Sequence, residues 1–217
     1  MIERTVATGT HGRYLIEPTA SSGPAPVLVG FHGYGEGADT QLERMRRIPG
    51  ADRWLLVSIQ GLHRFYQRRA NEVVASWMTR QDRELAIKDN LAYVAAVMDE
   101  VDRDHPGSPR LVFTGFSQGV AMVFRAAAAS SRSVTGVMAV GGDVPGELAA
   151  AEVGRVHQAL VCHGTGDEWY TQAIFDRDVQ RLRRAHVDVR TLEFDGGHAW
   201  SDEVVQAASL FLLDQLP

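Results

Sequence analysis

The stretch that most constrains this chain is Leu111-Val112-Phe113-Thr114-Gly115-Phe116-Ser117-Gln118-Gly119-Val120. A run of β-forming residues leads into Gly-x-Ser-x-Gly, and an Ala-rich helical segment follows at once. That order is the pattern of a nucleophile elbow, a strand-to-helix turn so tight that the serine sits in strained backbone with its hydroxyl exposed. Side chains at 115 or 119 would collide with the neighbouring strand or helix at such a bend, which explains the two glycines.

The elbow needs a sheet to sit on, and the pattern around it supplies one. From about residue 26 onward strand-like and helix-like segments alternate, which predicts a mostly parallel sheet with helices on both faces. Strands are expected at 26–31, 54–59, 111–114, 134–140, 159–162 and 187–194, most of them near-continuous apolar runs of the kind buried on both faces. An opening hairpin of 5–8 and 13–17 brings the expected sheet to about eight strands, and residues 21–26 read as a turn. Ile87, Leu91, Val94, Met98 and Val101 recur at helical spacing, and His105-Pro106-Gly107 ends that helix. Further helices are expected after the elbow, at about 171–184 and at about 202–215. Residues 62–83 lack a clean period and read as a long functional loop or partly helical excursion.

The 217 residues suit one domain spanning 1–217, and a net charge of −5 gives no electrostatic reason to expect nucleic acid. The single cysteine, Cys162, excludes an internal disulfide and lies inside a strand, not at an elbow. The opening residues are too polar for a secretory leader, and no apolar run reaches membrane-spanning length. The expectation is a cytoplasmic protein with no membrane span; the sequence is silent on oligomeric state.

A serine hydroxyl needs a base within reach, itself oriented by a third group. Of eight histidines, His198 stands out, because Asp195-Gly196-Gly197-His198 follows the last strand and its glycines free the loop to aim an imidazole. His32 and His163 each end a strand before a glycine and read as structural, locking loop backbones. Asp167, in the loop His163-Gly164-Thr165-Gly166-Asp167, is the expected acid, with Asp143 and Glu168 as alternatives. The oxyanion formed on attack needs preorganised N–H donors. The Gln118 backbone supplies one, and the loop His32-Gly33-Tyr34-Gly35 the other through Tyr34, with Gly33 or Gly35 as fallbacks; the Tyr34 ring would then project toward substrate.

His-Gly-Tyr-Gly, Gly-Phe-Ser-Gln-Gly, His-Gly-Thr-Gly-Asp and Gly-Gly-His together resemble the phospholipase/carboxylesterase family of α/β-hydrolases, which includes acyl-protein thioesterases. The resemblance spans residues 26–217, and the triad order Ser117, Asp167, His198 is the one α/β-hydrolases use. It implies an α/β-hydrolase fold and esterase or thioesterase activity on a small-molecule ester without a cofactor. It carries over Ser117, Asp167 and His198 as triad, with Tyr34 and Gln118 as oxyanion donors. Trp77 sits where the family often has an aromatic near the acyl pocket, but Met78-Thr79 replaces the aromatic and Asp that usually follow. Too few residues separate the strands ending near 140 and starting near 160 for a large cap, so an open cleft is expected, shaped by the 62–83 excursion. Phe65, Tyr66, Val73, Val74, Trp77 and Met78 would line a small acyl groove or form a core patch. Arg64, Arg68, Arg69 and Arg80 would attract an anionic substrate or simply form a solvated charged loop.

Three rival readings remain. Gly33-x-Gly35-x-x-Ala38 after a strand formally matches a dinucleotide fingerprint, but Val57-Ser58-Ile59-Gln60 offers no acid to hold a ribose. A catalytically inactive hydrolase fold that binds partners is another, and a serine peptidase on the same fold the third. No His/Cys/Asp cluster has metal-ligand spacing, so no metal is expected.

Overall fold

Alternate residues of each buried strand serve two different cores, and that division organises the molecule. The computed structural model describes residues 1–19, 23–67, 71–108 and 110–216. Its strands are β1 (Arg13–Glu17), β2 (Val27–Phe31), β3 (Leu55–Gln60), β4 (His63–Gln67), β5 (Glu72–Ser76), β6 (Leu111–Phe116), β7 (Gly136–Val140), β8 (Gln158–Gly164) and β9 (Asp188–Phe194). Its helices are α1 (Ala38–Arg46), α2 (Arg83–Asp104), α3 (Gln118–Ala129), α4 (Ala150–Val153), α5 (Gln172–Arg184) and α6 (Asp202–Asp214). Val27, Val29 and Phe31, with Leu111 and Phe113, pack against α2, α3 and α5; Leu28, Val112, Phe116 and Met138 pack against α1 and α6. A period of two facing helices on both sides is why the runs read as continuously apolar.

The main sheet has seven strands in the order β1-β3-β2-β6-β7-β8-β9. Only β1 is antiparallel to its neighbour. The chain winds outward from β2 in one direction and from β6 in the other, so the order reverses between these two adjacent strands. Loops leaving their carboxyl ends diverge there and open a crevice. Phe31 pairs in register with Gly115, which puts the loop after β2 beside the elbow after β6.

The expected eight strands in one sheet are corrected to seven plus a separate two-stranded hairpin. Residues 5–8 form no strand: all four are exposed, so no burial holds them against β1, which stays at the edge of the sheet. The 62–83 excursion is neither loop nor helix over its centre but the hairpin β4–β5, with Phe65 opposite Val74 and Tyr66 opposite Val73. β4 is exposed throughout, so no buried face imposed a period on its sequence. The Ser21-Ser22 part of the expected turn and Arg68 and Arg69 lie outside the described residues.

Only seventeen residues, including the four-residue α4, separate the end of β7 from the start of β8, and no large cap covers this rim. Among the described residues no helix is long and apolar enough to cross a membrane.

Candidate active site

Ser117 occupies the turn between β6 and α3 with φ 53° and ψ −121°. Only four described non-glycine residues have positive φ, and holding one there costs about 1–3 kcal/mol. The neighbouring hydrogen bonds offset that strain. The Ser117 N–H donates to Val140 O at 2.9 Å, and the first turn of α3 closes through the Val120 N–H to Ser117 O at 3.0 Å. A Cβ at Gly119 would fall 2.2 Å from Phe31 O and 2.7 Å from His32 O, so helix and neighbouring strand approach this closely only with glycine there. The Gly141-Gly142 doublet after β7 does the same on the other side. A Cβ at Gly142 would lie 2.3 Å from Ser117 O, and one at Gly141 3.3 Å from the His198 ring and 3.5 Å from Asp167 Oδ2. A side chain at either position would therefore intrude between the serine and imidazole loops.

The loops that carry Asp167 and His198 are laced together. Thr165 N–H donates to Phe194 O at 2.9 Å and Gly166 N–H to Gly196 O at 2.8 Å. Across this seam His198 Nδ1 lies 2.7 Å from Asp167 Oδ2, while Asp167 Oδ1 accepts the Trp169 and Tyr170 N–H groups at 2.8 and 2.9 Å. The carboxylate side chain is fully buried, and burial alone would raise its pKa. The Tyr170 N–H, His198 and the Trp169 N–H outweigh that, and the pKa is lowered. With Nδ1–H committed to the carboxylate, Nε2 is the nitrogen left to accept a proton. The ring stacks at 4.9 Å against Phe116, the residue before Ser117, and keeps 24% of its side-chain surface open. Of the three candidate acids only Asp167 bonds His198; Asp143 and Glu168 are exposed and make no bond to it.

The loop after β2 commits two of its three candidate N–H groups. Gly33 N–H donates to Glu36 Oε2 at 2.7 Å and Gly35 N–H to Ala75 O at 3.0 Å. Among the described residues the Tyr34 N–H meets no acceptor, nor does the Gln118 N–H at the α3 N-terminus, where the helix dipole favours negative charge. His32 is fully buried and locks this loop: Nδ1–H reaches Gly33 O at 2.6 Å, and Nε2 accepts the Gly61 N–H at 3.0 Å. Burial lowers its pKa, so the ring stays neutral and keeps both bonds.

His163, expected to lock a loop as well, makes no hydrogen bond among the described residues. It is buried and stacks on Phe175 at 5.1 Å. Cys162 is sealed in β8, and burial pushes its thiol up to about 12, which leaves it without nucleophilic thiolate at neutral pH.

Of the residues expected to face substrate, four separate into two pairs. Tyr34 and Phe65 stand exposed on the rim with ring centroids 5.5 Å apart. Trp77 and Met78 lie inside. Trp77 is fully buried, its indole N–H donates to His32 O at 2.8 Å, and its ring packs on Phe31 and His32. It supports the loop after β2 from beneath instead of facing a groove. Met78 packs its sulfur 3.6 Å from the buried Arg125. Arg64 binds the His11 carbonyl, and Arg80 is exposed.

The side chain of Gln118 makes contacts that sequence reasoning missed. Its Oε1 accepts the Trp77 N–H at 2.9 Å and the Ser76 hydroxyl at 3.2 Å, and its Nε2 donates to Met78 O at 2.9 Å. At about 0.5–1.5 kcal/mol each, such bonds pin the end of β5 to the first residue of α3. The only signal was Gln in the elbow motif beside a Ser-Trp-Met segment. Beside His198 a cleft of about 510 Å³ opens toward α1, lined by Thr40, Glu43, Arg47, Phe116 and Trp200 among others. Among the described residues no group of three or more His, Cys, Asp or Glu could hold a metal.

Comparison with known proteins agrees with this architecture. No curated protein matches the sequence significantly. Similar solved structures include Zea mays acyl-protein thioesterase 2, at 16% identity and TM-score 0.76, covering 95% of this chain and 100% of that one. A carboxylesterase from Mesorhizobium loti is 20% identical at TM-score 0.78, covering 93% and 94% of the two chains. The Bacillus cereus carboxylesterase is 16% identical at TM-score 0.76, covering 94% and 95%. At such identities the likeness establishes the α/β-hydrolase fold. Residues 16–215 match the phospholipase/carboxylesterase family model, and the chain belongs to that family.

Proposed function

We propose that the protein hydrolyses carboxylic esters or thioesters of small or medium acyl groups through Ser117, His198 and Asp167. The observation that carries this reading is the Asp167–His198 pair, bonded at 2.7 Å on the rim where Ser117 is held in strained backbone. His198 Nε2 takes the Ser117 proton as the hydroxyl oxygen attacks the carbonyl carbon. The Tyr34 and Gln118 N–H groups, free of other partners, hold the oxyanion. The tetrahedral intermediate collapses as His198 returns the proton to the leaving oxygen or sulfur, and the alcohol or thiol departs through the cleft beside the imidazole. Water, deprotonated by the same nitrogen, then releases the acid from the acyl-serine. Asp167 fixes the tautomer through both halves.

Burial of Trp77 and Met78 removes two walls of the small acyl groove expected from the sequence and favours short acyl groups resting against Tyr34 and Phe65. Family membership supports hydrolase activity; a fold that only binds partners would leave the strained serine and the saturated carboxylate without a use. The test is hydrolysis of p-nitrophenyl esters of rising acyl length. The expected kcat/KM is highest for acetate or butyrate and falls for longer chains. A protein that hydrolyses none of them, and no thioester of the same acids, lacks the proposed activity.

A further inference from the structure

We propose that Glu36, clamped by Arg44, is the positioning residue that aims the Tyr34 N–H at the oxyanion. This rests on the reading of Ser117 as the nucleophile. Glu36 Oε2 accepts the Gly33 N–H at 2.7 Å, and both carboxylate oxygens bind the Arg44 fork at 2.6 and 2.7 Å. Its main chain bridges to Ala75, with the Ala75 N–H on Glu36 O at 2.7 Å and the Gly35 N–H on Ala75 O at 3.0 Å. The peptide unit that carries the Tyr34 N–H also carries Gly33 C=O, held by His32 at 2.6 Å. A planar trans peptide points its N–H opposite its C=O, so fixing that carbonyl and the amide before it fixes where the Tyr34 N–H points.

The clamp also sets the position of the loop relative to the reacting groups. The Arg44 guanidinium lies 4.2 Å over the Phe116 ring, whose other neighbour is the His198 ring at 4.9 Å. Glu36 and Arg44 keep only 21% and 14% of their side-chain surfaces open, so this bidentate pair is far better shielded than a surface ion pair. Both side chains also line the cleft beside His198. Their effect reaches the reaction through the loop, and it belongs to the transition state, where charge on the oxyanion is greatest.

The test compares Glu36→Gln, Glu36→Ala and Arg44→Met with the wild type on p-nitrophenyl acetate, with melting temperature as the control for folding. A trifluoromethyl ketone, whose hemiketal oxygen mimics the oxyanion, probes the donor directly. Loss of one oxyanion donor costs about 10²- to 10³-fold in kcat, which bounds the Glu36→Ala effect. Glu36→Gln keeps an oxygen for Gly33 but loses the charge, and Arg44→Met leaves every loop contact of Glu36 while removing the clamp; both are expected to lose about tenfold. KM stays near the wild-type value, and the inhibition constant of the ketone rises in step with the fall in kcat. Folded variants with unchanged kcat and ketone affinity, or with an effect on KM alone, overturn the inference. A wild type that is inactive and takes no fluorophosphonate label overturns the reading of Ser117, and the proposed role with it.

Discussion

Ser117→Ala is expected to lower kcat on p-nitrophenyl acetate by on the order of 10⁴- to 10⁶-fold, with KM little changed. The substitution removes the atom that forms the acyl-enzyme but no wall of the cleft. It leaves the Ser117 N–H on Val140 O, the Gln118 clamp on Trp77 and Met78, and the Asp167–His198 pair untouched. The residual rate comes from the Tyr34 and Gln118 donors acting on a bound ester attacked directly by water. Melting temperature should stay close to that of the wild type or rise slightly, because alanine pays no desolvation for a hydroxyl in the tight elbow. A Ser117→Ala protein that retains a tenth or so of the wild-type rate would assign the chemistry to another residue.

Asp167→Asn is the second large effect, with kcat expected to fall by about 10³- to 10⁴-fold. The Asn carbonyl oxygen can still take the Trp169 and Tyr170 N–H groups, which turns its NH₂ toward His198 Nδ1. A donor facing Nδ1 moves the ring proton to Nε2, the nitrogen that must accept from Ser117. Asp143→Asn, on an exposed side chain with no bond to His198, is expected to leave kcat near the wild-type value. The same pair of variants reports on stability. The folded-state pKa of Asp167 is lowered, so its charge stabilises the fold fully above the ordinary carboxylate range. The advantage of the wild type over Asp167→Asn should therefore hold at neutral pH and fade as the pH falls below that range and through the lowered pKa of Asp167. Asp143→Asn losing more turnover than Asp167→Asn would reverse the assignment.

Legibility followed burial and backbone demand. The strands of the main sheet were readable because residues on both faces are buried and both must be apolar, as in β2 and β6. The elbow was readable because a strained turn leaves so few allowed residues at 115, 117 and 119. The Gly-rich loops around 167 and 198 were readable because close backbone crossing needs glycine: a Cβ at Gly164 would fall 2.3 Å from Gly197 O. The hairpin β4–β5 was not legible, because an exposed ladder is held by main-chain bonds that any sequence can make. The segment at 5–8 forms no strand although its expected partner, β1, does, because its four residues are exposed and nothing buried holds them there. Trp77 looked like a groove residue because an aromatic beside a long excursion suits a pocket or a core equally, and only the indole bond to His32 O decides between them. The clamps made by Gln118 and Glu36 depend on partners 40 residues away in the first case and eight in the second, and composition carries no trace of either.

The most direct test of the central claim is to map, by mass spectrometry of a proteolytic digest, the site at which a fluorophosphonate probe modifies the native protein. The account predicts one adduct, on the oxygen of Ser117, abolished in Ser117→Ala and strongly slowed in His198→Ala. A native protein that takes no adduct, or takes it on another residue while Ser117 stays unmodified, would contradict the account.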